Sequence, residues 1–429
     1  MASANRIRVT HAGALPRSPE LAKLVWAKGN GAPHDEAELQ RRLDDELAEM
    51  IRRQVAIGID SINDGELSKT SFTQYCASRM AGFEAHPYDP ARDPEPLSIG
   101  ARDIRKFREY FANGHAKFVT LDPPKTTYVC TGPLRYVGHA ELQQDLQRFK
   151  NALAGVDYTE AYVPANSPGT IEHWLRNQYY GSEEEFVEAI ADTMREEYKA
   201  IVEAGFRLQI DDPDLPDGWL MYPDMSTAEY RKYARLRVDA LNHALRDLPR
   251  EKIRFHVCWG SFHGPHADDI PLKDIADLIF RVRASEYSIE ASNPAHEHEW
   301  AVFQSAKVPD GAALIPGVVG HCTDFIENPE LVAQRLTRYA NLIGRENVMA
   351  GTDCGMGPRV KDPKICWAKF EAMVAGARLA AKQLWAKGSS AAGTKPAVKK
   401  AAKKAAARKA PARRAKKAKA KKAKKKARR

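Results

Sequence analysis

Four residues that lie far apart in the sequence have the side chains of a metal site. His256 and Cys258 lie in RFHVCWG, Glu290 lies in YSIEASN, and Cys354 lies in AGTDCGMG. Each stands at the end of a short β-rich run, and the strand ends of an α/β barrel open onto one face. Two thiolates, an imidazole and a carboxylate suit Zn²⁺, which takes sulfur, nitrogen and oxygen ligands tetrahedrally. The sequence therefore predicts a zinc site.

This prediction depends on the combination of residues more than on any one motif. His256 and Cys258 are two positions apart on a strand, so both side chains point to the same face. Such a pair alone is weak evidence, because a core histidine beside a buried cysteine also arises by chance. Glu290 strengthens the prediction of a metal site, since a carboxylate that follows apolar strand residues points inward and needs a partner for its charge. Gly355 and Gly357 follow the fourth candidate and allow the backbone to approach a bound group closely.

Other histidines and cysteines fit the metal pattern less well. The histidines of SFHGPH and HEHEW lie in loops beyond the strands, where exposed residues, or residues that support metal ligands, are usual; these are His263, His266, His296 and His298. The remaining cysteines are more typical of small packing residues; these are Cys76, Cys130, Cys322 and Cys366. The sequence leaves open whether His263 or His266 contacts a substrate.

The charge of the predicted site favours thiol chemistry. Two thiolates and one carboxylate give a Zn²⁺ site a formal charge of −1, which makes the ion a poor Lewis acid toward a carbonyl. Zinc lowers the pKa of an incoming thiol from about 8.5, so a nucleophilic thiolate persists at neutral pH. We therefore expect alkylation of a small thiol by a methyl or alkyl donor, with Glu290, the hardest ligand, displaced by the sulfur.

The net charge of +10 belongs to one end of the chain. Twenty of the 66 Lys and Arg residues lie from Lys387 to Arg429, a segment without acids, so the remainder carries a charge of about −10. We predict a folded domain over 1–385 and a disordered Lys/Ala-rich tail over 386–429, because the tail lacks large apolar side chains. The tail resembles those of histone-H1-like proteins, which implies non-specific nucleic-acid or polyanion contact through 387–429. A tail irrelevant to catalysis is the alternative.

Membrane and disulfide signals are lacking in the sequence. It shows no signal peptide and no run of about 18 apolar residues, so no membrane span is expected. The six cysteines have no disulfide-framework spacing. Reduced thiols and a cytoplasmic location are therefore predicted.

Eight β-like runs alternate with helix-length segments, which predicts a (β/α)8 TIM barrel. The runs cover 7–13, 59–65, 160–166, 206–212, 253–259, 287–291, 314–321 and 348–354. Amphipathic segments such as DDELAEMIRRQVAI lie between most of them. A ninth candidate, 126–138, contains turn residues, and we place it with 85–125 in an excursion between the second and third barrel strands.

Over about residues 5–380 the chain resembles the C-terminal catalytic barrel of cobalamin-independent methionine synthase and its shorter relatives. The matching segments keep the order of the family: THAGALPR, GIDSINDGE, QIDDPDL, FHVCWGSF, SIEAS, PGVVGHCTD and TDCGMGPR. The resemblance implies that the four candidates above are the zinc ligands. It also implies that Asp211 and Glu66 hold the amino group of homocysteine, and that His321 serves proton transfer near the methyl donor.

The residues themselves agree with these implied roles. Asp211 and Glu66 end strands on the presumed active face, where two acids can hold an ammonium group. A helix cap or a loop salt bridge is the alternative for both. His321 can protonate a leaving amine, given its ordinary pKa of about 6.5. A structural hydrogen bond is its alternative.

Departures from the family pattern bear on the substrate. Ala14 stands where the family usually has a serine that contacts the amino acid, and Gly357 and Pro358 stand where it usually has a lysine. No counterpart of the N-terminal barrel of the full-length enzyme is recognised. Methyl transfer to homocysteine is the first hypothesis. An epoxyalkane:coenzyme M transferase-type reaction is the second, with Arg17 and Arg359 as candidates for a sulfonate, and a nucleic-acid-associated protein is the third.

Overall fold

The computed structural model describes residues 5–93, 97–116, 121, 125–260, 262–357, 359–360 and 362–386. Apart from Ala386, the predicted basic tail lies outside these residues, and so do its predicted disorder and its polyanion contacts. No helix in the described part of the chain is both long enough and apolar enough to cross a membrane. Each of the six cysteines is a free thiol in the described structure.

Eight parallel strands form the barrel, and three more form a small separate sheet. The strands are β1 (Arg8–Val9), β2 (Ser61–Ile62), β3 (Met80–Pro87), β4 (Thr126–Tyr136), β5 (Glu160–Asn166), β6 (Leu175–Asn177), β7 (Arg207–Asp211), β8 (Ile253–Val257), β9 (Glu286–Ile289), β10 (Ala313–Val319) and β11 (Met349–Thr352). The order in the barrel is β1-β11-β10-β9-β8-β7-β5-β2. At the closure, the Asp60 amide donates to the Val9 carbonyl at 2.9 Å. Each predicted barrel run overlaps one of these strands, although β9 and β10 begin one residue before their runs, so the predicted TIM barrel is confirmed.

Helices connect the strands and cover the barrel. They are α1 (Pro19–Gly29), α2 (Glu36–Ile57), α3 (Phe72–Arg79), α4 (Ala101–Lys106), α5 (Arg108–Ala112), α6 (His139–Leu153), α7 (Pro168–Trp174), α8 (Glu183–Glu203), α9 (Asp214–Met221), α10 (Thr227–Ala244), α11 (Leu272–Ile279), α12 (Pro329–Ile343) and α13 (Pro363–Ala386). Short 3-10 helices occupy Arg250–Lys252, Glu297–Gln304 and Arg345–Asn347.

The sequence of α2 shows why these helices form and where they end. The Asp35 carboxylate accepts from the Glu38 amide at the N-terminus, and Gly58 ends the helix with a φ of 102°, which an L side chain rarely adopts. Its buried residues recur at helical spacing and face the core; they are Leu39, Leu43, Leu47, Met50, Ile51 and Gln54.

One buried arginine joins four strands inside the barrel. The Arg254 side chain on β8 is 0% exposed, and its Nε donates to Glu286 on β9 at 2.8 Å. Its other nitrogens donate to Ser61 Oγ on β2 at 2.9 Å and to Thr10 Oγ1 after β1 at 3.0 Å. Loss of one partner would leave buried charge uncompensated, so this network constrains which strand ends face one another.

The predicted excursion between the second and third barrel strands is present. β3 pairs antiparallel with β4, and β6, which follows the third barrel strand, adds to β4 in parallel. Nothing in the sequence pattern indicated β6 as part of this sheet. Residues of α5, the segment after it, α9 and the loop after β8 form a second apolar cluster, made of Phe111, Ala116, Leu220 and Phe262. The excursion therefore supports the loop that follows His256 and Cys258.

Candidate metal centre

Three of the four predicted ligands meet at the mouth of the barrel. His256 lies on β8, Cys258 follows this strand directly, and Cys354 lies two residues after β11. The Cys258 and Cys354 sulfurs are 3.6 Å apart, although 96 residues separate them in sequence. One donor atom from each of the three residues lies within 4.8 Å of the others. The parallel strands thus bring these three remote residues together.

The donors of this cluster fit a soft or borderline metal ion. His256 Nδ1 lies 3.2 Å from Ser288 Oγ, which orients the ring, whereas the buried Nε2 lacks a hydrogen-bond partner. A buried ring nitrogen left without a partner is costly, and a metal ion would satisfy it. Two sulfurs and one imidazole nitrogen are donors that Zn²⁺ accepts.

The hydrogen bond between the two thiols shifts their pKa values in opposite directions. The hydrogen bond from Cys258 holds the pKa of Cys354 well below its ordinary value, although burial opposes this effect. The same hydrogen bond, together with burial, raises the pKa of Cys258 well above its ordinary value. A divalent cation would compensate both thiolates, because metal binding displaces the protons of its ligands.

Glu290 lies in a different group from the three-residue cluster. Its Oε2 accepts from the Trp259 amide at 2.7 Å, and its Oε1 accepts from Asn293 Nδ2 at 2.5 Å. A carboxylate oxygen of Glu290 lies within 4.8 Å of donor atoms of His321 and Asp353. Burial raises the pKa of Glu290, and the charge of His321 opposes this rise. Its role as the fourth ligand remains a prediction.

His321 belongs to the same group of donor atoms as Glu290 and Asp353, and it lies two residues after the end of β10. The residue is 1% exposed, and its Nε2 is 3.3 Å from the Cys322 sulfur. Cys322, which the sequence indicated as a packing residue, therefore contacts the predicted proton-transfer residue. The electrostatic interaction with His321 also lowers the pKa of Cys354. The two groups thus act on each other electrostatically.

The two predicted amino-group ligands lie near each other. Asp211 ends β7, and its Oδ1 accepts from Gln209 Nε2 at 2.8 Å. Burial raises the pKa of Asp211 to about 7, with the charge of His256 opposing and that of Glu66 adding to the rise. Glu66 has a φ of 56°, and its Oε2 lies 3.3 Å from Lys69 Nζ. Glu66 thus makes the loop salt bridge that was its alternative role, and its charge also acts on Asp211.

The turn after β1 packs on the loop after β11. The amides of Met356 and Gly357 both donate to the Ala14 carbonyl at 2.9 Å. A Cβ at Gly355 would lie 3.1 Å from the Ala14 Cβ. The glycines after Cys354 therefore allow the turn at Ala14 to pack closely against this loop. The sequence had suggested that they allow close approach to a bound group instead.

The sequence matches the family model of the cobalamin-independent synthase catalytic domain over residues 137–379, more than half of the chain. The chain belongs to this family. The methionine synthase of Thermococcus kodakarensis is 23% identical over 371 residues, which are 86% of this chain and 92% of the relative. That of Sulfurisphaera tokodaii is 24% identical over 371 residues, 86% of this chain and 90% of the relative. The predicted family is confirmed.

A solved structure of the synthase family has the same fold. The B12-independent methionine synthase from Shewanella sp. W3-18-1, in complex with selenomethionine, superposes with a TM-score of 0.65 at 19% sequence identity. The match covers 89% of this chain and 99% of that chain. At this level of identity the likeness concerns the fold, and it agrees with the barrel described above.

Two acids of this synthase-family chain were missed by sequence reasoning. Asp217 in α9 is 3% exposed, and burial raises its pKa well above the ordinary value; a Cβ at Gly260, after Cys258, would lie 2.9 Å from its Oδ2. Asp353 directly precedes Cys354 and is 0% exposed. Each acid follows a strand that already carried or preceded a candidate residue. Asp353 comes directly after β11, and Asp217 comes six residues after the end of β7.

Two of the loop histidines, His266 and His296, share the Asp269 carboxylate as a partner. His296 is buried, with Nε2 2.9 Å from Asp269 and Nδ1 2.8 Å from Glu299, and its ring stacks on Trp259 at 4.1 Å. Burial lowers its pKa, but hydrogen bonds to these two acids raise it to about 10. The resulting imidazolium supports the Trp259 segment whose amide binds Glu290.

The two arginines proposed for a sulfonate differ in their surroundings. Arg17 donates to the carbonyl of Glu66 at 2.6 Å and to that of Lys69, so its guanidinium holds the loop after β2. Burial lowers the pKa of Arg359, and the charge of Cys354 opposes this effect. Of the two, Arg359 has its charge near the thiol cluster.

Proposed function

We propose that the protein is a zinc-dependent transferase that alkylates a small thiol, with homocysteine as the acceptor and a methyl group as the transferred group. The observation that carries this proposal is the meeting of His256, Cys258 and Cys354 at the barrel mouth, with their donor atoms within 4.8 Å. The family membership and the methionine synthases among the relatives support the same reaction class.

The residues of the cluster account for how a thiol would be activated. His256, Cys258 and Cys354 would hold Zn²⁺, with Glu290 as the fourth ligand. The ion would lower the pKa of an incoming thiol so that its thiolate persists at neutral pH. Glu290 already accepts hydrogen bonds from the Trp259 amide and Asn293, so its carboxylate would have hydrogen-bond partners whether or not it binds the ion.

The remaining site residues would orient the acceptor and handle the proton. Asp211 and Glu66 would bind the ammonium group of homocysteine, since charge-assisted hydrogen bonds to carboxylates are strong. An ammonium beside Asp211 favours its ionised form, which burial otherwise disfavours. His321 would hold the proton that is transferred to the leaving amine of the methyl donor. Burial of His256, Cys258 and His321 keeps water from the reacting atoms.

The first experiment measures proton release when homocysteine is titrated into the zinc-loaded protein, by calorimetry in buffers of different ionisation enthalpy. A thiol that binds zinc as a thiolate sheds its proton, so we expect about one proton per chain. Cys258→Ser should abolish the release, and the matched control Cys366→Ser, in a buried cysteine of α13, should retain it. Intact zinc content and turnover in Cys258→Ser would refute the proposal.

A second candidate, alkylation of a sulfonate-bearing thiol such as coenzyme M, is supported by Arg359, whose charge lies near the thiols. In the same titration, release only with coenzyme M, lost in Arg359→Met, would favour it. Release with homocysteine alone would exclude it. The absence of release with every thiol would leave the zinc structural and overturn both candidates.

A further inference from the structure

Asp353 is a buried carboxylate that joins the two strand ends carrying Glu290 and Cys354. It directly precedes Cys354 in sequence and is 0% exposed. Its Oδ1 accepts from the amides of Ala291 and Ser292, both at 2.9 Å, and its Oδ2 accepts from Ser292 Oγ at 2.5 Å. These donors belong to the two residues that directly follow Glu290.

β10, the strand between β9 and β11, leaves room for the Asp353 carboxylate. β10 lies between β9 and β11 in the barrel, and a Cβ at Gly317 on β10 would overlap Asp353 Oδ1. The Asp353 amide donates to the Val319 carbonyl of the same strand at 3.1 Å. The side chain therefore crosses β10 through the space that Gly317 leaves and reaches the end of β9.

We infer that Asp353 is a positioning residue that fixes the Glu290 segment relative to Cys354, and so sets the distance between the carboxylate and thiolate donors of the metal site. The inference rests on the proposed function in taking this cluster as the metal site. Asp353 also lies with Glu290 and His321 in one group of donor atoms within 4.8 Å. Fixing the Glu290 segment therefore also keeps its carboxylate beside His321.

The hydrogen bonds, rather than the charge of Asp353, are the feature on which this inference depends. Asp353→Ala removes all three acceptor contacts. Asp353→Asn retains one oxygen that can accept both amides, and its NH₂ can donate to Ser292 Oγ. Gly317→Ala reaches the same carboxylate from β10 by displacing it. If one variant fails to fold, the others still test the inference.

The measurement is zinc affinity by competition with a chromophoric chelator, together with the absorption spectrum of the cobalt-loaded protein. Residues that hold metal ligands in place typically change metal affinity by about 10- to 100-fold when removed. We expect that loss in Asp353→Ala and in Gly317→Ala, with an altered cobalt–thiolate band. Asp353→Asn should restore zinc affinity to within about threefold of the wild type, because it keeps the acceptors.

Asp60→Ala is the matched control for loss of a buried carboxylate. Asp60 is 6% exposed, and its Oδ2 accepts from the Val9 amide at 2.8 Å where the barrel closes. This variant should lose stability but keep the wild-type zinc affinity and cobalt spectrum. A fall in zinc affinity that equals that of Asp353→Ala would show a general effect of destabilisation and overturn the inference.

The remaining outcomes separate this inference from the proposed function. Wild-type affinity and spectrum in Asp353→Ala would overturn the inference alone, as would an Asp353→Asn variant as weak as Asp353→Ala. If the wild type binds zinc and the variants behave as expected, but no thiol releases a proton, the proposed function fails and the inference stands. Absence of zinc binding in the wild type would overturn both.

Discussion

Asp212 gives a quantitative test of how burial at the end of β7 controls stability. It directly follows Asp211, is 2% exposed, and its Oδ1 accepts from the Leu215 amide at 3.2 Å. Burial raises the pKa of Asp212 to about 7, and the charge of Asp214 adds to the rise. The folded protein therefore holds this side chain as a neutral acid up to nearly neutral pH.

The sign of the pH dependence follows from this raised pKa. In the unfolded chain an aspartic acid has a pKa of about 3.9, so below that pH both states are protonated and Asp212 adds no pH dependence. Between about pH 4 and pH 7 the unfolded state binds fewer protons than the folded state, so stability falls as pH rises. A pKa difference of about 3 corresponds to about 4 kcal/mol, reached above pH 7.

Asp212→Asn removes one titrating group, so the part of this decline that Asp212 contributes should disappear, while the part from Asp211 remains. Urea unfolding of both proteins from pH 4 to pH 8 should show the variant gaining stability over the wild type, by up to about 4 kcal/mol at pH 8. Asp157→Asn, at an exposed position, is the control and should track the wild type. A stability difference for Asp212→Asn that does not change with pH would refute the reasoning.

Three further predictions concern other parts of the chain. Arg254→Met should cost about 3–5 kcal/mol in urea unfolding, because it removes the guanidinium that binds Glu286 Oε2 at 2.8 Å and leaves this buried carboxylate with the longer contacts to Arg8 and Arg207, at 3.3 and 3.6 Å; a loss below about 1 kcal/mol would contradict the network described above. Leu43→Ala in α2 should cost about 2–5 kcal/mol, and an unchanged urea midpoint would show that the helix face is not packed as described. Deletion of 387–429 should abolish salt-dependent retention on DNA while proton release with the thiol is unchanged; equal retention of both proteins would remove the polyanion hypothesis.

The sequence by itself determined the eight barrel strands and part of the cluster of candidate metal ligands. His256 and Cys258 had to share a face, because side chains alternate along a strand, and their sulfur and imidazole donors are those of zinc. The eight β-like runs separated by helical segments already specified a barrel, whose strand ends converge on one face. The closeness of Cys354 to Cys258 follows from that convergence.

Only the tertiary structure decided which partners the remaining side chains have. Glu290 binds the Trp259 amide and Asn293, and the Ala14 turn fills the space beside Gly355. Asp353 reaches across β10 to the residues after Glu290. These contacts depend on distances of a few ångströms between segments far apart in sequence, set by register and packing across the barrel, and no local pattern of residue types encodes such distances.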